Sequence, residues 1–171
     1  MRVTAAIAGL AFFAFAQTAT AAPVTLAPIG YSDEYAEKIE EEIGQRDNQH
    51  LQDMLTRALT RELTEEGAQL TTNAPLTVEV TIIDAQANRP TQAQMRRRPY
   101  LDMFRSVSTG GAELSATLRN ADGAVVGQVT DSYYTYSLAD LNGPPMTWTD
   151  AHRAIRRFSR KVADAYAANA R

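Results

Sequence analysis

The stretch that most constrains the fold is Ala112–Tyr136, which follows two glycines and has the pattern of a β-hairpin. Its first half alternates alanine and leucine with polar residues, and a period of two is typical of a strand with one buried face. The segment Asn120–Gly123 has the composition of a turn, in which glycine readily takes a positive φ. A four-residue loop places Leu118 opposite Val125, whereas a one-residue slip mixes the faces, so the pattern predicts the four-residue loop. The predicted buried face is lined by Leu114, Leu118, Val125 and Val129.

One further strand and two long helices are predicted from the same kind of pattern. Leu76–Asp84 alternates apolar and polar residues and is predicted to be a strand. Apolar residues recur at spacings of three and four in Asp47–Glu66 and in Trp148–Asn169, so both are predicted to be amphipathic helices. Gly67 stands where a glycine commonly ends a helix.

Three smaller elements are predicted from caps and prolines. Pro23–Ile29 is short, apolar and bounded by prolines, which favours an edge strand. Ser32 followed by two acids predicts a helix start, and Gly44 predicts the end of that helix. Thr147 and Asp150 have the spacing of a capping box for the last helix.

Together these elements predict an α+β fold. We expect a single two-layer domain in which a mostly antiparallel sheet of three to five strands packs against two amphipathic helices, because each apolar stripe must be buried against another layer. The alternative is that the two helices cover opposite faces of the sheet. Residues 85–111 form a long connection, which we expect to be ordered, with at most a helical turn around Tyr100–Arg105.

The amino-terminal segment predicts export. Arg2 precedes the apolar run Ala5–Ala16, which is too short to span a bilayer comfortably, and Ala19–Ala21 fits the small-residue cleavage rule. We therefore predict a signal peptide over residues 1–21 and an exported, soluble domain over 22–171. An uncleaved anchor and a buried helix are the alternatives.

Composition excludes several classes of site. The chain has no cysteine, so it has neither disulfides nor thiolate metal ligands, and it lacks the cysteine needed for amino-terminal lipid attachment. With 17 Lys and Arg against 20 Asp and Glu, its net charge is −3, which argues against nucleic-acid binding. A glycine-rich phosphate loop is absent from the sequence, and we predict neither a cofactor nor a metal ion.

Catalytic signals are weak. His50 and His152 are predicted to lie in the first turns of helices. They could form a metal pair or supply a general base, but we favour the interpretation that both are simply exposed. The sequence has no HExxH, GxSxG or SxxK motif. Ser106 and Ser108 precede two glycines, so a small hydrolase that uses one of them is an alternative to a flexible lead into the strand. We predict no catalytic residue.

Arginines and aromatic residues on the long connection are the stronger candidates for a partner-binding surface, because this combination suits protein or glycan contacts on an ordered loop. Exposed tyrosines at the end of the hairpin would extend this surface. The alternatives are that the arginine loop is only solvated and that the tyrosines pack in the core or at the sheet edge. The predicted partner-binding residues are Arg89, Arg96, Arg97, Arg98, Tyr100, Phe104, Tyr134 and Tyr136.

The basic face of the last helix, Arg153–Lys161, provides a second charged surface. One hypothesis is that it contacts an anionic membrane surface, which would make the protein a peripheral lipid-binding protein. The alternative is that these cations are solvated or are neutralised within the chain by the acidic stretch Glu34–Glu66.

The layout of an export signal, the strand LTVEVTIID, the hairpin GGAELSATLRNADGAVVG and a closing helix resembles uncharacterised proteobacterial envelope proteins. Some of these relatives are lipoproteins. The resemblance implies a Gram-negative periplasmic setting and a non-enzymatic role. The leading hypothesis is therefore a soluble periplasmic binding or assembly protein that holds an envelope protein or glycan through its sheet edge or through Arg89–Phe104.

Overall fold

The predicted hairpin forms one side of a mixed six-stranded sheet in the computed structural model, which describes residues 22–141 and 143–170. The strands are β1 (Pro23–Leu26), β2 (Gly30–Tyr31), β3 (Gln69–Leu70), β4 (Leu76–Gln86), β5 (Gly111–Arg119) and β6 (Val125–Tyr134). The helices are α1 (Asp33–Lys38), α2 (Gln45–Glu65), α3 (Gln92–Arg97) and α4 (Thr149–Asn169). A π-helical turn, Ile39–Ile43, joins α1 to Gly44, and a 3-10 turn covers Leu138–Asp140.

The sheet has the order β3-β1-β4-β5-β6, and β2 also pairs with β4. The long ladders β4–β5 and β5–β6 are antiparallel, while β1 and β2 pair in parallel with their neighbours. The α+β class and the mostly antiparallel sheet are confirmed, but six strands exceed the predicted three to five. A strand forms within Pro23–Ile29 as predicted, but its predicted place at the edge of the sheet is wrong, because β1 lies between β3 and β4. Two-residue strands are too short to show a period in the sequence.

Both long helices share one core with one face of the sheet. The sheet side of this core includes Val78, Val80, Ile82, Leu114, Ala116 and Leu118, and α2 contributes Leu51, Leu55, Leu59 and Leu63. The opposite face is polar: Arg119 Nε lies 2.9 Å from Glu79 Oε2 across it. The alternative of helices on opposite faces is therefore wrong.

The helix ends show where local signals hold and where they fail. Gly67, with φ +84°, follows α2 as predicted, and Gly44, with φ +83°, ends the segment that Ser32 caps. The helix α2 begins at Gln45, directly after Gly44, instead of at Asp47. None of the helices in the described part of the chain combines the length and the apolar composition of a membrane-spanning segment.

The hairpin loop differs from the prediction. Asn120 N donates to Ala124 O at 3.0 Å, so the loop is one residue shorter than the predicted four. A β-bulge then restores the alternation, because Leu118 lies opposite Gly127 and Val126 is the extra residue. The pattern favours the four-residue loop because a one-residue slip mixes the faces, and the bulge restores the faces despite the shorter loop.

The bulge changes which residues line the buried face. Leu114 and Leu118 are buried and Val129 is half-buried, as predicted, but Val125 is 47% exposed. The residue opposite Leu114 is Asp131 rather than an apolar residue, and it is buried. The second strand of the hairpin therefore carries a carboxylate into the core layer.

The long connection contains a helix that the sequence argument placed elsewhere. Thr91 and Gln94 form a capping box at the start of α3, which fits between Pro90 and Pro99. The segment predicted to hold a helical turn, Tyr100–Arg105, contains only turns. The two prolines explain the placement, because each disfavours helix at the residue before it and leaves the interval between them free.

Asn88 joins the connection to the start of α4. Its Oδ1 accepts from Asp150 N at 2.9 Å, and its Nδ2 donates to Asp150 Oδ2 at 2.6 Å and to Ser108 O at 3.3 Å. Asn88 and Asp150 are both fully buried. A side chain from the loop after β4 thus caps α4, so the predicted capping box between Thr147 and Asp150 is wrong.

We predict that Asn88→Ala lowers the free energy of unfolding by about 2–4 kcal/mol, because it removes a helix cap and leaves a buried carboxylate with fewer donors. Urea unfolding measures this change. The exposed Asn73 provides the matched control, and Asn73→Ala should change stability by less than about 0.5 kcal/mol. Equal stabilities of the two variants would contradict this role of Asn88.

Candidate functional site

Six exposed apolar side chains lie on the loops at one end of the sheet, and we call them the aromatic rim. They lie after β4 and after β6, and these strands end together because Gly111 pairs with both Gln86 and Tyr134. The rim consists of Tyr100, Met103, Phe104, Tyr136, Leu138 and Met146. Tyr100 is 79% exposed, Phe104 83% and Tyr136 88%, so these three predicted residues are accessible to a partner.

Arg89 holds the loops that carry the rim. Its Nη1 donates to the carbonyl oxygens of Met103 and Phe104, both at 2.8 Å, and its Nε donates to Pro145 O. These donors link the loop before β5 to the loop before α4. The structure therefore places Arg89 beneath the predicted surface, where it orders the rim rather than presenting its charge.

The other three predicted arginines, Arg96, Arg97 and Arg98, lie on or beside α3 and are exposed. Arg97 Nη2 donates to Glu40 O at 2.9 Å, and Arg98 Nη2 lies 3.7 Å from Glu42 Oε1. Both contacts attach α3 to the π-helical turn. Arg96 makes no ion pair with any residue of the described chain.

Tyr134 is turned inward and differs in this from Tyr136. Its Oη donates to Asp84 Oδ2 at 2.6 Å, and Lys38 pairs with the same carboxylate. Burial, and then the hydrogen bond to Asp84, raise the pKa of Tyr134 above its ordinary value. The structure thus brings Tyr134 to the end of β4, while only Tyr136 is free at the surface.

Two cations of α4, Arg157 and Lys161, pair with a residue predicted to be a turn aspartate. Asp131 accepts from Arg157 Nε at 2.7 Å and Nη2 at 2.8 Å, and from Lys161 Nζ at 2.6 Å. Arg153 pairs with Asp150 at 2.9 Å. Arg153, Arg157 and Lys161 are thus paired within the chain, with Asp131 and Asp150 rather than with Glu34–Glu66, while Arg156 and Arg160 form no ion pair with any described residue. The register shift at the bulge conceals this role of Asp131 in the sequence.

The two candidate serines line a small pocket of about 350 Å³ that also includes Glu42 and Lys38. Ser106 Oγ accepts from Asp102 N at 3.0 Å and stabilises the loop that carries the rim. Within the described residues, no hydrogen bond joins either serine hydroxyl to a histidine or a carboxylate. Neither serine has the base that a hydrolase of this kind requires.

His50 and His152 come together in a cleft of about 560 Å³, which we call the histidine cleft. The first turns of α2 and α4 form two of its walls, and Pro90–Gln92 forms a third. Its lining includes His50 and His152, the cations Arg46, Arg153 and Arg156, and the apolar residues Met54, Met103, Met146 and Trp148. In the described chain no group of three or more metal-ligating side chains occurs, so the histidine pair lacks the further ligands of a metal site. The two residues are a hundred positions apart, and only the packing of α2 on α4 brings them together.

We predict that Arg89→Ala exposes the connection to trypsin at Arg105, because the loop loses the donors that hold Met103 and Phe104. Cleavage there should accelerate about tenfold, as followed by mass spectrometry. Arg96→Ala is the control and should leave cleavage at Arg105 unchanged. Unchanged cleavage in Arg89→Ala would show that the loop is ordered by other contacts.

We also predict that Asp131 contributes to acid sensitivity. Burial alone would raise its pKa, but the hydrogen bonds from Arg157 and Lys161 outweigh it and lower the pKa below the ordinary 3.8. Because the folded pKa is lower than the unfolded one, this stabilisation is present above pH 3.8 and is lost as pH falls through the folded value.

In urea unfolding, Asp131→Asn should be about 1–3 kcal/mol less stable than the natural protein at neutral pH. It should also lose less stability than the natural protein between about pH 5 and pH 2.5. Asp122→Asn, at an exposed turn, should keep the natural acid response. An equal loss of stability in Asp131→Asn and the natural protein would contradict the assignment.

Solved structures with a similar fold come from several bacteria. The hypothetical protein CT253 from Chlamydia trachomatis has a TM-score of 0.50 at 12% identity, over 87% of this chain and 98% of that chain. PelC from Paraburkholderia phytofirmans, solved as a dodecamer, has a TM-score of 0.47 at 10% identity, over 86% of both chains. A minor lipoprotein from Acinetobacter baumannii has a TM-score of 0.38 at 12% identity, over 86% of this chain and 93% of that chain. At 12% identity the likeness to CT253 concerns the fold alone.

No curated protein matches the sequence. The predicted resemblance to uncharacterised bacterial proteins, some of them lipoproteins, is confirmed. A family model described as "Protein of unknown function (DUF3313)" matches residues 8–162, and the chain therefore belongs to the DUF3313 family.

Proposed function

We propose that this protein is an exported, non-enzymatic binding protein of the Gram-negative envelope and that it holds a protein partner at the aromatic rim. The observation that carries the proposal is the group of exposed apolar side chains on loops that Arg89 holds by hydrogen bonds to their carbonyl groups. Large apolar side chains gathered at one end of a protein commonly mark an interaction surface.

The rim is preorganised. Arg89 fixes the carbonyl groups of Met103 and Phe104, and Asp102 Oδ1 accepts from the backbone N of Phe104 and Arg105 at 2.8 Å. A partner that binds such a loop loses little conformational entropy in ordering it. These contacts distinguish the rim from a flexible loop that exposes apolar residues by chance.

The composition of the rim favours a protein over a glycan or a nucleic acid. Tyrosine, phenylalanine, methionine and arginine are enriched at protein interfaces, whereas lysine is depleted there. The rim has three aromatic residues and two methionines, and Arg96 lies on the nearby helix α3. Within the predicted set, Tyr100, Phe104, Tyr136 and Arg96 are therefore the proposed contact residues, and Arg89 and Tyr134 support them.

Export is proposed from the amino-terminal sequence. The predicted signal peptide lies outside the described residues, and we propose cleavage after Ala21. Ala22 follows the proposed cut, and its carbonyl oxygen accepts from Tyr166 Oη at 2.7 Å and from Gln69 N at 3.2 Å. Cleavage at this bond would leave the attachment of β1 to α4 and β3 in place.

We predict that the protein recovered from a periplasmic extract has the mass of a chain beginning at Ala22. Intact-protein mass spectrometry after osmotic shock measures it. A product that keeps residues 1–21, or that stays in the cytoplasmic fraction, would contradict the export proposal.

The partner surface is tested by site-specific photo-crosslinking in the cells that make the protein. A photoreactive amino acid placed at Phe104 should give one product of defined mass. Placed at Thr72, which is exposed and precedes β4 at the opposite end of the sheet, it should give none. Thr130, which is exposed on the edge strand β6, tests the alternative that the sheet edge is the binding surface.

A product from position 130 and none from 104 would assign binding to the sheet edge and overturn the rim proposal. A product at twice the mass of this chain would identify a second copy as the partner. Circular dichroism and thermal melting of each variant confirm that it is folded, since all three positions are exposed.

A further inference from the structure

The histidine cleft has a property that the rim does not share: it combines an apolar floor with cations that lie at its mouth. Trp148 is 6% exposed and Met54 is half-buried, so the floor is largely apolar. The cations Arg46 and Arg156 line the same cleft and are exposed to solvent. The volume of about 560 Å³ lies within the range of about 300–1,000 Å³ that is typical of small-molecule sites.

The positive charge of the cleft is not neutralised within the described chain. Arg46 and Arg156 form no ion pair or side-chain hydrogen bond with any described residue. Asp47 is the one acid in the lining, and its Oδ1 accepts from Trp148 Nε1 at 3.4 Å. Arg153 is paired with the buried Asp150. Two guanidinium groups therefore remain available for an anion.

The titration of His152 agrees with this charge distribution. Its pKa is lowered first by burial and then by the positive charges of Arg156, Arg61 and His50. An uncharged imidazole is favoured there because neighbouring cations oppose a further positive charge.

Two methionines complete the apolar part of the cleft. Met103 and Met146 line it from the loops that Arg89 joins, and both are exposed. Methionine side chains are flexible and polarisable, so they adapt to apolar chains of different shape. The cleft thus offers adaptable apolar contacts beside fixed positive charge.

We propose that the histidine cleft binds a free single-chain amphiphile, with its carboxylate or phosphate group at Arg46 and Arg156 and its apolar chain on Met54 and Trp148. A guanidinium matches the geometry of both anionic groups. A cationic amphiphile would meet repulsion, and an uncharged one would leave the arginines without a counter-ion. The anion contacts of this site are separate from the proposed partner contacts, because Arg46 and Arg156 do not belong to the rim, although Met103 and Met146 line both surfaces.

Trp148 is the only tryptophan of the chain, so its fluorescence reports directly on the cleft. The test titrates the full mature chain with dodecyl phosphate and with dodecanoate below their micelle concentrations. Dodecyltrimethylammonium and inorganic phosphate are titrated in parallel. We expect saturable binding of both anionic amphiphiles at one per chain, at least tenfold weaker binding of the cationic one, and weaker binding of inorganic phosphate.

The double variant Arg46→Gln/Arg156→Gln should weaken dodecyl phosphate at least tenfold, which corresponds to about 1.4 kcal/mol. Arg160→Gln is the matched control, because Arg160 is exposed one turn further along α4 and does not line the cleft. It should leave the affinity unchanged. Since all three arginines are exposed, the variants should fold, and thermal melting checks that they do.

Several results would overturn the proposal. Equal affinity for the anionic and cationic amphiphiles would indicate unspecific apolar adsorption. Equal affinity for inorganic phosphate would reduce the cleft to an anion site without a role for its apolar floor. Unchanged binding in the double variant would place the ligand elsewhere. Photo-crosslinking at position 104 is read separately, so failure of the cleft proposal leaves the partner proposal standing.

Discussion

The end of the sheet that carries both proposed sites depends on a buried pair of polar side chains, Asn88 and Asp150. The side-chain amide of Asn88 caps α4 from the loop after β4. Its backbone N donates to Thr147 O before α4, and its carbonyl oxygen accepts from Ser108 N before β5. A buried amide and carboxylate are costly unless each finds partners, and here each supplies them to the other. This exchange fixes where α4 begins relative to β4. Gly110 is also constrained, because a Cβ there would lie 2.6 Å from the side chain of Asn88.

Both proposed sites are built on this arrangement. Arg89 follows Asn88 directly, and its hydrogen bonds link the rim loop to the loop before α4. The histidine cleft uses the other side of the same helix start, and Met103 and Met146 belong to both surfaces. A ligand in the cleft would therefore lie next to a partner on the rim, although each surface has contacts of its own.

The sequence predicts what depends on local periodicity and misses what depends on packing. The α+β class, α2, α4, β4 and the approximate hairpin follow from spacing and from glycines such as Gly67. The two-residue strands do not, because they pair with strands distant in the chain. The bulge at Val126 sets a register that the alternation does not show, and the helix between Pro90 and Pro99 begins at a local capping box, Thr91 and Gln94, that the sequence prediction does not use. The bulge also moved Asp131 to the buried face, where α4 supplies its counter-ions.

The candidate site was predicted in the same uneven way. The aromatic residues Tyr100, Phe104 and Tyr136 are at the surface, as a partner-binding role requires, because loop composition alone favours exposure. Arg89 and Tyr134 turn inward because each finds hydrogen-bond acceptors within the chain. Arg89 donates to backbone carbonyl groups, and Tyr134 donates to the carboxylate of Asp84. The meeting of His50 with His152 had no signal in the sequence, because it follows from how two helices pack.

Native-state hydrogen exchange tests most directly whether Asn88 organises this end as one unit. The amides of Asn88, Ser108 and Asp150 each donate to a defined acceptor in the junction, at 2.8, 2.9 and 2.9 Å. The account predicts that these three amides have similar protection, close to that of the β5 amides, and that they lose it together in Asn88→Ala. Fast and independent exchange of the three amides in the natural protein would contradict it.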